Sequence, residues 1–268
     1  MTGPTPQPPS KTRIPLGQRM ARYGVNLLRA PFVMAALRKR FGGPVRFAAV
    51  HRVALQPELG LAYNRVKKNA NTTLTILLRE LSGGEAVQRD LAKWEAQTPF
   101  DLPLSQLDLL QRLRYVVVVR NPYSRTLSAF LDKFREDGYR RKHGAFPLTP
   151  DGFAQFVAYL DAGGLTRDAH WDLQTKLILS PLDRFDAVLR FETLGRDLEA
   201  ALAAHDIPFD ASRLRAAYPS DEGKSTGAAA RVAEFYRPET AATVARLFAR
   251  DFAELGYPTD LPGTRAAG

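Results

Sequence analysis

The sequence predicts an α/β fold, a P-loop-like three-layer arrangement in which a central, mainly parallel sheet is flanked by helices. Twice along the chain, in 61–81 and in 115–134, an apolar run typical of a strand leads through a short polar turn into a segment with apolar residues at helical spacing. Open sheets of this class bind ligands at the turns that leave the carboxyl ends of their strands. We therefore expect the two turns to flank one crevice.

The first unit is centred on the polar turn 67–73, which reads Lys-Lys-Asn-Ala-Asn-Thr-Thr. Its last three residues are types that cap a helix N-terminus, where unpaired N–H groups and the positive end of the helix dipole attract an anion. Two lysines beside such a site point to a phosphate or sulfate ligand. A capped helix with two solvated lysines is the alternative. No glycine lies between Tyr63 and Ser82, so the turn is not a nucleotide-triphosphate loop.

The second unit begins with the run 115–119, the strongest strand in the sequence. A continuous β-branched run of this kind is typical of a parallel strand that is buried on both faces. Arg120 follows it, and then come Asn121 as a helix N-cap and Pro122 at the first helical position. Apolar residues up to Phe134 give the following helix one apolar face. The second unit thus repeats the order of the first, with an arginine at its turn.

The composition indicates a globular protein with an anionic partner. The chain has 268 residues, of which 45% are hydrophobic and 25% charged, and a net charge of +10. We expect one domain at 16–257, after a disordered leader at 1–15 and before a loose tail at 258–268. Cysteine is absent, which excludes disulfides and thiolate metal sites, and the four histidines lack a metal-binding spacing. No metal is expected.

The N-terminal segment 16–41 predicts a basic helix, which Pro31 is expected to break into two pieces. Packing of this helix on its own domain and peripheral contact with an acidic membrane are both open interpretations. The residues 1–10 lack the pattern of a secretion signal, and no apolar stretch approaches the length needed to cross a bilayer. We expect a cytoplasmic protein, soluble or peripherally membrane-associated.

The remaining segments carry weaker patterns. They predict strands at 45–55 and 185–191, helices at 153–160, 192–205 and 238–255, and exposed loops at 133–150 and 219–230. In the last of these loops, Lys224, Ser225 and Thr226 either close over a ligand or belong to an ordinary flexible loop. The loop 133–150 is basic, which hints at an acidic acceptor.

Four segments occur in the order, and with the residue types, of the carbohydrate sulfotransferases. The segment 64–73 resembles the family's 5′-phosphosulfate loop, and 119–128, an arginine followed eight residues later by a serine, resembles its 3′-phosphate motif. The His-Trp pair 170–171 with Gln174, and the stretch 191–257, resemble later parts of the same family. The resemblance is to the branch that includes heparan sulfate 2-O-sulfotransferase and the chondroitin and dermatan 4-O-sulfotransferases.

The resemblance implies transfer of a sulfuryl group from 3′-phosphoadenosine-5′-phosphosulfate (PAPS), the co-substrate, to a hydroxyl of a glycan, a glycolipid or another alcohol, without a metal. It implies that Lys68 is catalytic, at the oxygen that bridges phosphate and sulfate. The implied donor-binding residues are Lys67, Lys68, Asn69, Ala70, Asn71, Thr72 and Thr73 in the loop, and Arg120 and Ser128 at the 3′-phosphate. The chain departs from the family at Lys67, where proline is usual.

The acceptor hydroxyl needs a base, and His170 is the candidate because imidazole titrates near neutral pH. Two alternatives stay open. In one, this histidine has a packed structural role. In the other, the base is Glu80, Glu85 or His51. Arg125 is expected to form a salt bridge rather than to bind a ligand.

Two other classes of protein compete with this interpretation. A P-loop-like kinase or nucleotide hydrolase needs a G-K-[ST] loop and an aspartate that ends a hydrophobic strand and binds Mg²⁺, whereas this strand ends in Arg120. A basic nucleic-acid-binding protein would fit the net charge, but the sequence shows no zinc, recognition-helix or RNP signature. We therefore expect no nucleic-acid partner.

Overall fold

The computed structural model describes residues 16–84, 95–216 and 226–262. The predicted leader 1–15, Glu85, Lys224 and Ser225 lie outside the described residues. The helices are α1 (Leu16–Phe41), α2 (Phe47–Val50), α3 (Asn71–Leu81), α4 (Leu109–Arg112), α5 (Pro122–Lys133), α6 (Asp137–His143), α7 (Pro150–Tyr159), α8 (Gln174–Leu177), α9 (Leu194–Ala203), α10 (Ser212–Ala216), α11 (Val232–Phe235), α12 (Pro238–Leu247) and α13 (Ala249–Leu255). Short 3₁₀ turns lie at Pro57–Leu59, Pro99–Asp101, Leu104–Gln106, Leu165–Arg167, Leu182–Arg184 and Phe191–Thr193.

The sheet has four strands in the order β1-β2-β3-β4 within the described residues. The strands are β1 (Val53–Gln56), β2 (Leu61–Asn64), β3 (Arg114–Val119) and β4 (Ala187–Arg190). β1 is antiparallel to β2, while β3 pairs in parallel with both β2 and β4. The expectation of a mainly parallel sheet is confirmed. The carboxyl ends of β2, β3 and β4 meet at one edge, and the lysine turn and the arginine turn both leave the sheet there.

Helices pack against both faces of the sheet, because side chains alternate along each strand. Tyr115, Val117 and Val119 of β3 belong to a core cluster with α1. Val116 and Val118 belong to a second cluster, with the apolar faces of α3 and α9. Fully burying a side chain of this size contributes roughly 1.5–3 kcal/mol. The strand β3 therefore positions helices on both sides of the sheet.

A third core cluster is aromatic and lies beside the sheet. It joins α5, α7, α11, α12 and α13 through rings such as Phe130, Phe153 and Phe156, which are stacked or tilted against one another at centroid distances of 5.3–6.4 Å. Trp171 is fully buried in the same cluster, and its indole N–H donates to the carbonyl of Gly164 at 3.0 Å. This cluster fixes the segment that carries His170.

The helix α1 runs unbroken through Pro31, so the expected break is wrong. Proline removes one helical hydrogen bond, but tertiary contacts hold the helix on either side of it. The Arg29 guanidinium donates to the carbonyls of Phe100 and Leu102, at 3.0 and 3.4 Å. Beyond the proline, Leu37 is fully buried. No helix among the described residues combines the length and the apolar character that a bilayer span requires.

Three other local expectations are corrected. The predicted strand 45–55 begins with the helical turn α2, since that turn buries Ala49 and Val50 in the core. The predicted loop 133–150 contains α6, because its last residue, His143, packs on aromatic rings. The predicted helix 238–255 is divided into α12 and α13 at Phe248, which is fully buried.

The first residues of the predicted loose tail contact the domain. The Tyr123 hydroxyl donates to the carbonyl of Thr259 at 2.5 Å, and Leu261 packs against the aromatic cluster. Residues 263–268 lie outside the described part of the chain. The described end of the chain is therefore attached to α5, the helix that follows the arginine turn.

Candidate active site

The lysine turn has an unusual backbone. It connects β2 to α3, and Lys68 and Ala70 within it adopt left-handed conformations, with φ of 69° and 54°. Residues other than glycine enter this region at a cost of about 1–2 kcal/mol each. The sequence places no glycine here, so contacts from elsewhere in the fold must hold the turn in this shape.

Asn69 is the internal anchor of the lysine turn. It is fully buried, and its side-chain amide donates to the carbonyl of Val118 at 2.7 Å and to Oε1 of Gln174 at 2.6 Å. Its backbone N–H donates to the carbonyl of Val66 at 3.3 Å. The resemblance implies that Asn69 binds the donor, whereas here its side chain and its backbone N–H bind other parts of the chain. In this structure, Asn69 fastens the turn to β3.

The N-terminus of α3 is left open. Ala70 is the N-cap residue and no side chain caps the helix, so the expectation that Asn71, Thr72 and Thr73 act as capping side chains is wrong. They occupy the first helical turn instead. The first backbone bond of the helix runs from Leu74 N–H to the carbonyl of Ala70, at 2.9 Å. The N–H groups of residues 71–73 have no acceptor within the described residues, and such groups are suited to bind an anion.

Lys68 is largely buried beside this open helix end. Its ammonium lies 3.0 Å from Oδ2 of Asp132 on α5, and its side chain is 15% exposed. Burial lowers the pKa of Lys68 to about 8, although Asp132 acts to raise it and Arg120 lowers it further. Lys133 shares the same carboxylate at 3.3 Å. The lysine is therefore cationic at neutral pH, and it is held by a group that an anionic ligand can replace.

Arg120 joins the two turns directly. It leaves β3 almost fully buried, and its Nη1 donates to the carbonyl of Lys68 at 2.8 Å, while its Nε donates to Oγ of Ser124 at 3.0 Å. Its guanidinium lies 3.8 Å from the ring centre of Phe191, and burial lowers its pKa to about 10. Nη2 has no acceptor among the described residues. The expectation that the two turns lie side by side is confirmed.

The end of β4 supports the arginine turn from the other side. One carboxylate oxygen of Glu192 accepts from the backbone N–H of Asn121 at 2.9 Å, and the other accepts from the Tyr257 hydroxyl at 2.8 Å. The negative charge of Glu192 also acts to raise the pKa of Arg120. All three parallel strands therefore contribute to the same edge of the sheet.

Ser128 lies two helical turns beyond Arg120 and is buried. Its hydroxyl oxygen accepts from the Thr226 hydroxyl at 3.3 Å. Thr226 is the first described residue after the gap 217–225, so the C-terminal segment returns to α5 at this serine. The predicted residues Lys224 and Ser225 lie outside the described part, whereas Thr226 is placed beside Ser128.

Arg125 differs from its expected salt bridge. It is buried, and its guanidinium donates to three backbone carbonyls: those of Lys67 (3.1 Å), Asp172 (2.8 Å) and Ala169 (3.3 Å). Burial lowers its pKa to about 10, while Asp251 and then Asp172 act to raise it. Arg125 thus ties the lysine turn to the segment that carries His170. No local pattern distinguishes this arginine from a surface one.

Gln174 lies at the centre of the assembly, with no exposed surface. Its Oε1 accepts from the Asn69 amide at 2.6 Å and from the Arg120 N–H at 3.0 Å, and its Nε2 donates to the Arg120 carbonyl at 2.7 Å. The buried carboxylate of Asp251 accepts from the backbone N–H groups of Gln174 and Thr175, at 2.7 and 3.0 Å. One glutamine side chain therefore fastens both turns together. The sequence singled it out only as part of a motif.

His170 forms a dyad with Asp168. The imidazole Nδ1 lies 2.6 Å from Oδ1 of Asp168 and 3.1 Å from the Tyr139 hydroxyl. Burial lowers the pKa of His170 to about 4, and the cations Lys67 and Lys133 lower it further, although the hydrogen bond that the ring donates to Asp168 acts to raise it. The ring is neutral at pH 7. Since Nδ1–H donates to Asp168, Nε2 is left as a proton acceptor.

The other candidate bases are less well placed. Glu80 is near the end of α3, roughly 13 Å along the helix axis from the lysine turn at 1.5 Å per residue. The side chain of His51 is largely exposed. Desolvation of the part that is covered lowers its pKa to about 4, and the nearby positive charges of Arg52, Arg65 and Lys67 also lower it. The structure brings no three histidine or acidic side chains together as a metal site within the described residues.

His143, the last residue of α6, is buried. Its Nδ1 lies 2.8 Å from the Tyr159 hydroxyl, and its ring meets Trp171 edge to face at a centroid distance of 4.9 Å. Tyr139 stacks on the His143 ring and also contacts His170. The histidine of α6 therefore supports the dyad through the tyrosine.

Taken together, a mainly parallel sheet, an open helix end, a buried lysine and a buried arginine form a site that is suited to bind an anionic ligand. A neutral histidine oriented by a carboxylate lies in the segment tied to the same turn. A model of the sulfotransferase family matches residues 51–258. The chain belongs to the sulfotransferase family, which includes the carbohydrate sulfotransferases. Neither a curated protein nor a solved structure gives a significant match.

Family membership makes the protein a transferase of sulfuryl groups and does not favour the kinase alternative. The match covers both turns, the Asp168–His170 pair, Gln174 and Glu192, and it ends just after Tyr257. The helix α1 lies outside the match.

Proposed function

We propose that this protein transfers the sulfuryl group of PAPS to a hydroxyl of a carbohydrate-type acceptor, a glycan or a glycolipid, by in-line transfer without a metal. The observation that carries the proposal is the contact between Arg120 Nη1 and the carbonyl of Lys68, at 2.8 Å. This contact brings two cations to one edge of the sheet, one for the 3′-phosphate and one for the 5′-phosphosulfate of the nucleotide. We also assign the fold to the P-loop-like class, on the strand-turn-helix order of the two units.

The open end of α3 is proposed to bind the 5′-phosphate. The free N–H groups of Asn71, Thr72 and Thr73 point out of the helix N-terminus, where the helix dipole favours negative charge. The hydroxyls of Thr72 and Thr73 and the backbone of Ala70 complete the cradle. This helix end suits a phosphate because the backbone N–H groups of Asn71, Thr72 and Thr73 have no acceptor within the described structure.

Lys68 is proposed to stabilise the charge that develops on the bridging oxygen as its bond to sulfur breaks. PAPS supplies the activated sulfuryl group. In the structure the ammonium is held by Asp132 at 3.0 Å, and a bound anion gives it a second, stronger partner. A preorganised cation in a water-poor site stabilises such charge more than water does. Lys67, on the same turn, adds to the positive field around the donor.

Arg120 and Ser128 are proposed to hold the 3′-phosphate. The Nη2 of Arg120 has no acceptor among the described residues, and two of its other donors already fix the direction of the guanidinium. Ser128 and Thr226 offer hydroxyls two helical turns further on, and Lys224 and Ser225 precede Thr226 in the chain. A hydrogen bond between charged partners contributes on the order of 1.5–3 kcal/mol. The arginine turn therefore supplies much of the donor affinity.

His170 is proposed as the base. As the acceptor oxygen forms its bond to sulfur and the bond from sulfur to the bridging oxygen breaks, Nε2 takes the hydroxyl proton. Asp168 keeps Nδ1 protonated, so that Nε2 is the accepting nitrogen. The pKa of about 4 leaves the imidazole unprotonated at pH 7. A bound anion beside the ring raises that pKa and makes the histidine a stronger base.

The test combines binding and turnover. 3′-Phosphoadenosine-5′-phosphate in EDTA should raise the unfolding temperature. At a ligand concentration of about 100 times the Kd, the added stability is about 2.7 kcal/mol. ATP with Mg²⁺ and oligonucleotides serve as the comparison ligands. Labelled PAPS with a panel of glycans, glycolipids and simple alcohols then identifies the acceptor. Stabilisation by ATP with Mg²⁺ alone would contradict the proposal.

A further inference from the structure

One face of α1 is apolar and exposed. Leu28, Phe32 and Ala35 follow one another at helical spacing along this face, and the first two are 79% and 56% exposed. The opposite face packs on the sheet through Val33 and Leu37, which have no exposed surface. The apolar exposed face therefore contributes nothing to the core, and no described residue covers it.

The same line of residues leads to a cationic cleft. Lys39, one turn beyond the apolar residues, lines an open cleft of about 470 Å³ together with Arg112 and Arg114. The only carboxylate among its lining residues belongs to Asp186, which already accepts from Arg40. The side chains of Lys39 and Arg114 form no hydrogen bond or ion pair with any described residue. The cleft thus has unpaired positive charge beside an apolar surface.

The cleft is separate from the candidate active site. Arg114 is the first residue of β3, and Arg120 follows its last residue. Six residues at 3.3 Å each place the two positions roughly 20 Å apart, at opposite ends of the central strand. A ligand in the cleft therefore leaves the edge with the two turns free.

We propose that the exposed face of α1 and the adjoining cationic cleft form a docking surface for an anionic lipid bilayer. An amphipathic helix of this kind lies in the plane of the interface with its apolar side chains among the lipids. Leu28 and Phe32 enter the membrane, and the cleft receives a phosphate-bearing headgroup through Lys39 and Arg114. The net charge of +10 draws the whole protein toward such a surface.

The unpaired positive charges of the cleft favour an anionic bilayer, rather than a second copy of this chain, as the partner. A two-fold dimer places the same patch of both copies against each other, so its interface would contain two sets of the unpaired Lys39 and Arg114 charges and no free carboxylate among the described lining residues to offset them. The apolar residues also lie along the outer face of a single helix, a shape that inserts into a planar interface without a complementary groove. An acidic protein is the remaining alternative, and the experiment distinguishes it.

The test measures sedimentation of the full-length chain with lipid vesicles. Vesicles of phosphatidylcholine alone are compared with vesicles that also contain phosphatidylglycerol. We expect binding to the anionic vesicles and a marked loss of binding as salt is raised, because salt screens exposed charges. The variant Leu28→Ser/Phe32→Ser should bind at least about tenfold more weakly, from the lost burial of two large apolar side chains.

A charge-reversal variant tests the cleft independently. Lys39→Glu/Arg114→Glu should lose the preference for anionic over neutral vesicles. The matched control is Leu148→Ser/Arg141→Glu, which changes an exposed leucine and an exposed arginine away from α1 and should bind as the unaltered chain does. Binding of 3′-phosphoadenosine-5′-phosphate should be the same in all variants. It also shows that each variant is folded, and it separates this proposal from the proposed function.

Several results would overturn the proposal. One is the absence of vesicle binding. Another is equal binding by all variants. Stabilisation by inorganic phosphate that depends on Lys39 and Arg114, without vesicle binding, would assign the cleft to a soluble anion. A dimer in light scattering that dissociates on Leu28→Ser/Phe32→Ser would assign the face to a second copy. Capture of an acidic protein by the unaltered chain but not by the variants, without vesicle binding, would assign it to a protein partner.

Discussion

The two turns at the candidate site have the same strand-turn-helix order, but their helices begin in different ways. Both follow a parallel strand and precede a helix. The helix α5 begins with Asn121, whose side chain accepts from Tyr123 N–H at 2.9 Å, and with Pro122, which has no N–H to satisfy. The helix α3 begins at Ala70, which cannot cap it. One helix end is closed by its own sequence, and the other is open to a ligand.

The backbone of the two turns differs as well. The lysine turn holds two residues with positive φ, while the arginine turn holds none. The carbonyls of the lysine turn accept from Arg120 and Arg125, both of which belong to the second unit. The lysine turn therefore depends on the second unit for its shape. The arginine turn is held by its own helix cap and by Gln174 and Glu192.

The largest effect is expected at the lysine turn itself. Lys68→Ala should lower kcat by about 100-fold to 1000-fold, the range found when one charge-stabilising donor is removed from an active site. Lys67→Ala, on the neighbouring residue, should lower kcat by less than about tenfold by the same scale. Steady-state turnover of labelled PAPS measures both. Equal losses in the two variants would show that the turn acts only as a diffuse positive patch.

The next effect is expected at the arginine turn. Arg120→Ala should weaken binding of 3′-phosphoadenosine-5′-phosphate by about 100-fold, since it removes one or two charge-assisted hydrogen bonds of about 1.5–3 kcal/mol each. Isothermal titration in EDTA measures the affinity. Arg112→Ala, which removes an exposed arginine paired with Asp108, is the control and should leave affinity unchanged. Unaltered affinity in Arg120→Ala would contradict the proposal that both turns bind the nucleotide.

The dependence of one turn on the other is tested at Gln174. Gln174→Leu leaves one N–H of the Asn69 amide and the backbone N–H of Arg120 buried without acceptors, at about 1–3 kcal/mol each. We expect a loss of about 3 kcal/mol in urea unfolding, together with weaker nucleotide binding. Asn121→Ala removes the cap of α5 and should cost about 1 kcal/mol of stability with binding intact. If both variants lose only stability, the glutamine does not couple the turns.

The smallest effect is expected when pH is varied between the two shifted pKa values, where kcat/KM should be constant. The rate constant kcat/KM should fall as pH drops through about 4, where His170 becomes protonated and can no longer accept a proton. It should also fall as pH rises through about 8, where Lys68 loses its charge. Each limb approaches tenfold per pH unit, and the profile is flat between them. Limbs near 6.5 and 10.5, the unshifted values of these side chains, would show that burial does not tune the site.

Several parts of the fold could be predicted because their signals are local. The buried valine run of β3, the N-cap at Asn121 and the apolar face of α5 are each specified within a few neighbouring residues, and the structure confirms them. The continuity of α1 through Pro31 and the helical turn at Ala49 were missed. In both cases contacts with distant parts of the chain outweigh the local preference.

The site divides in the same way. Lys68, Arg120 and Ser128 were predicted from the resemblance to the family, and their positions in the sequence place them on a turn or a helix. Arg125 and Gln174 could not be given roles, because each binds partners that are 44 to 105 residues away in the chain. Neither residue differs in its local sequence from one with a solvated side chain.

By itself, the sequence determined the order of strands, turns and helices and the chemical types placed at each turn, because periodicity and capping act over a few residues. Only the tertiary structure decided that the helix end at Ala70 stays open and that Lys68 is held in a left-handed conformation. It also decided that His170 is kept neutral beside Asp168. Each of these outcomes depends on burial and on hydrogen bonds between segments far apart in the chain, which no local pattern specifies.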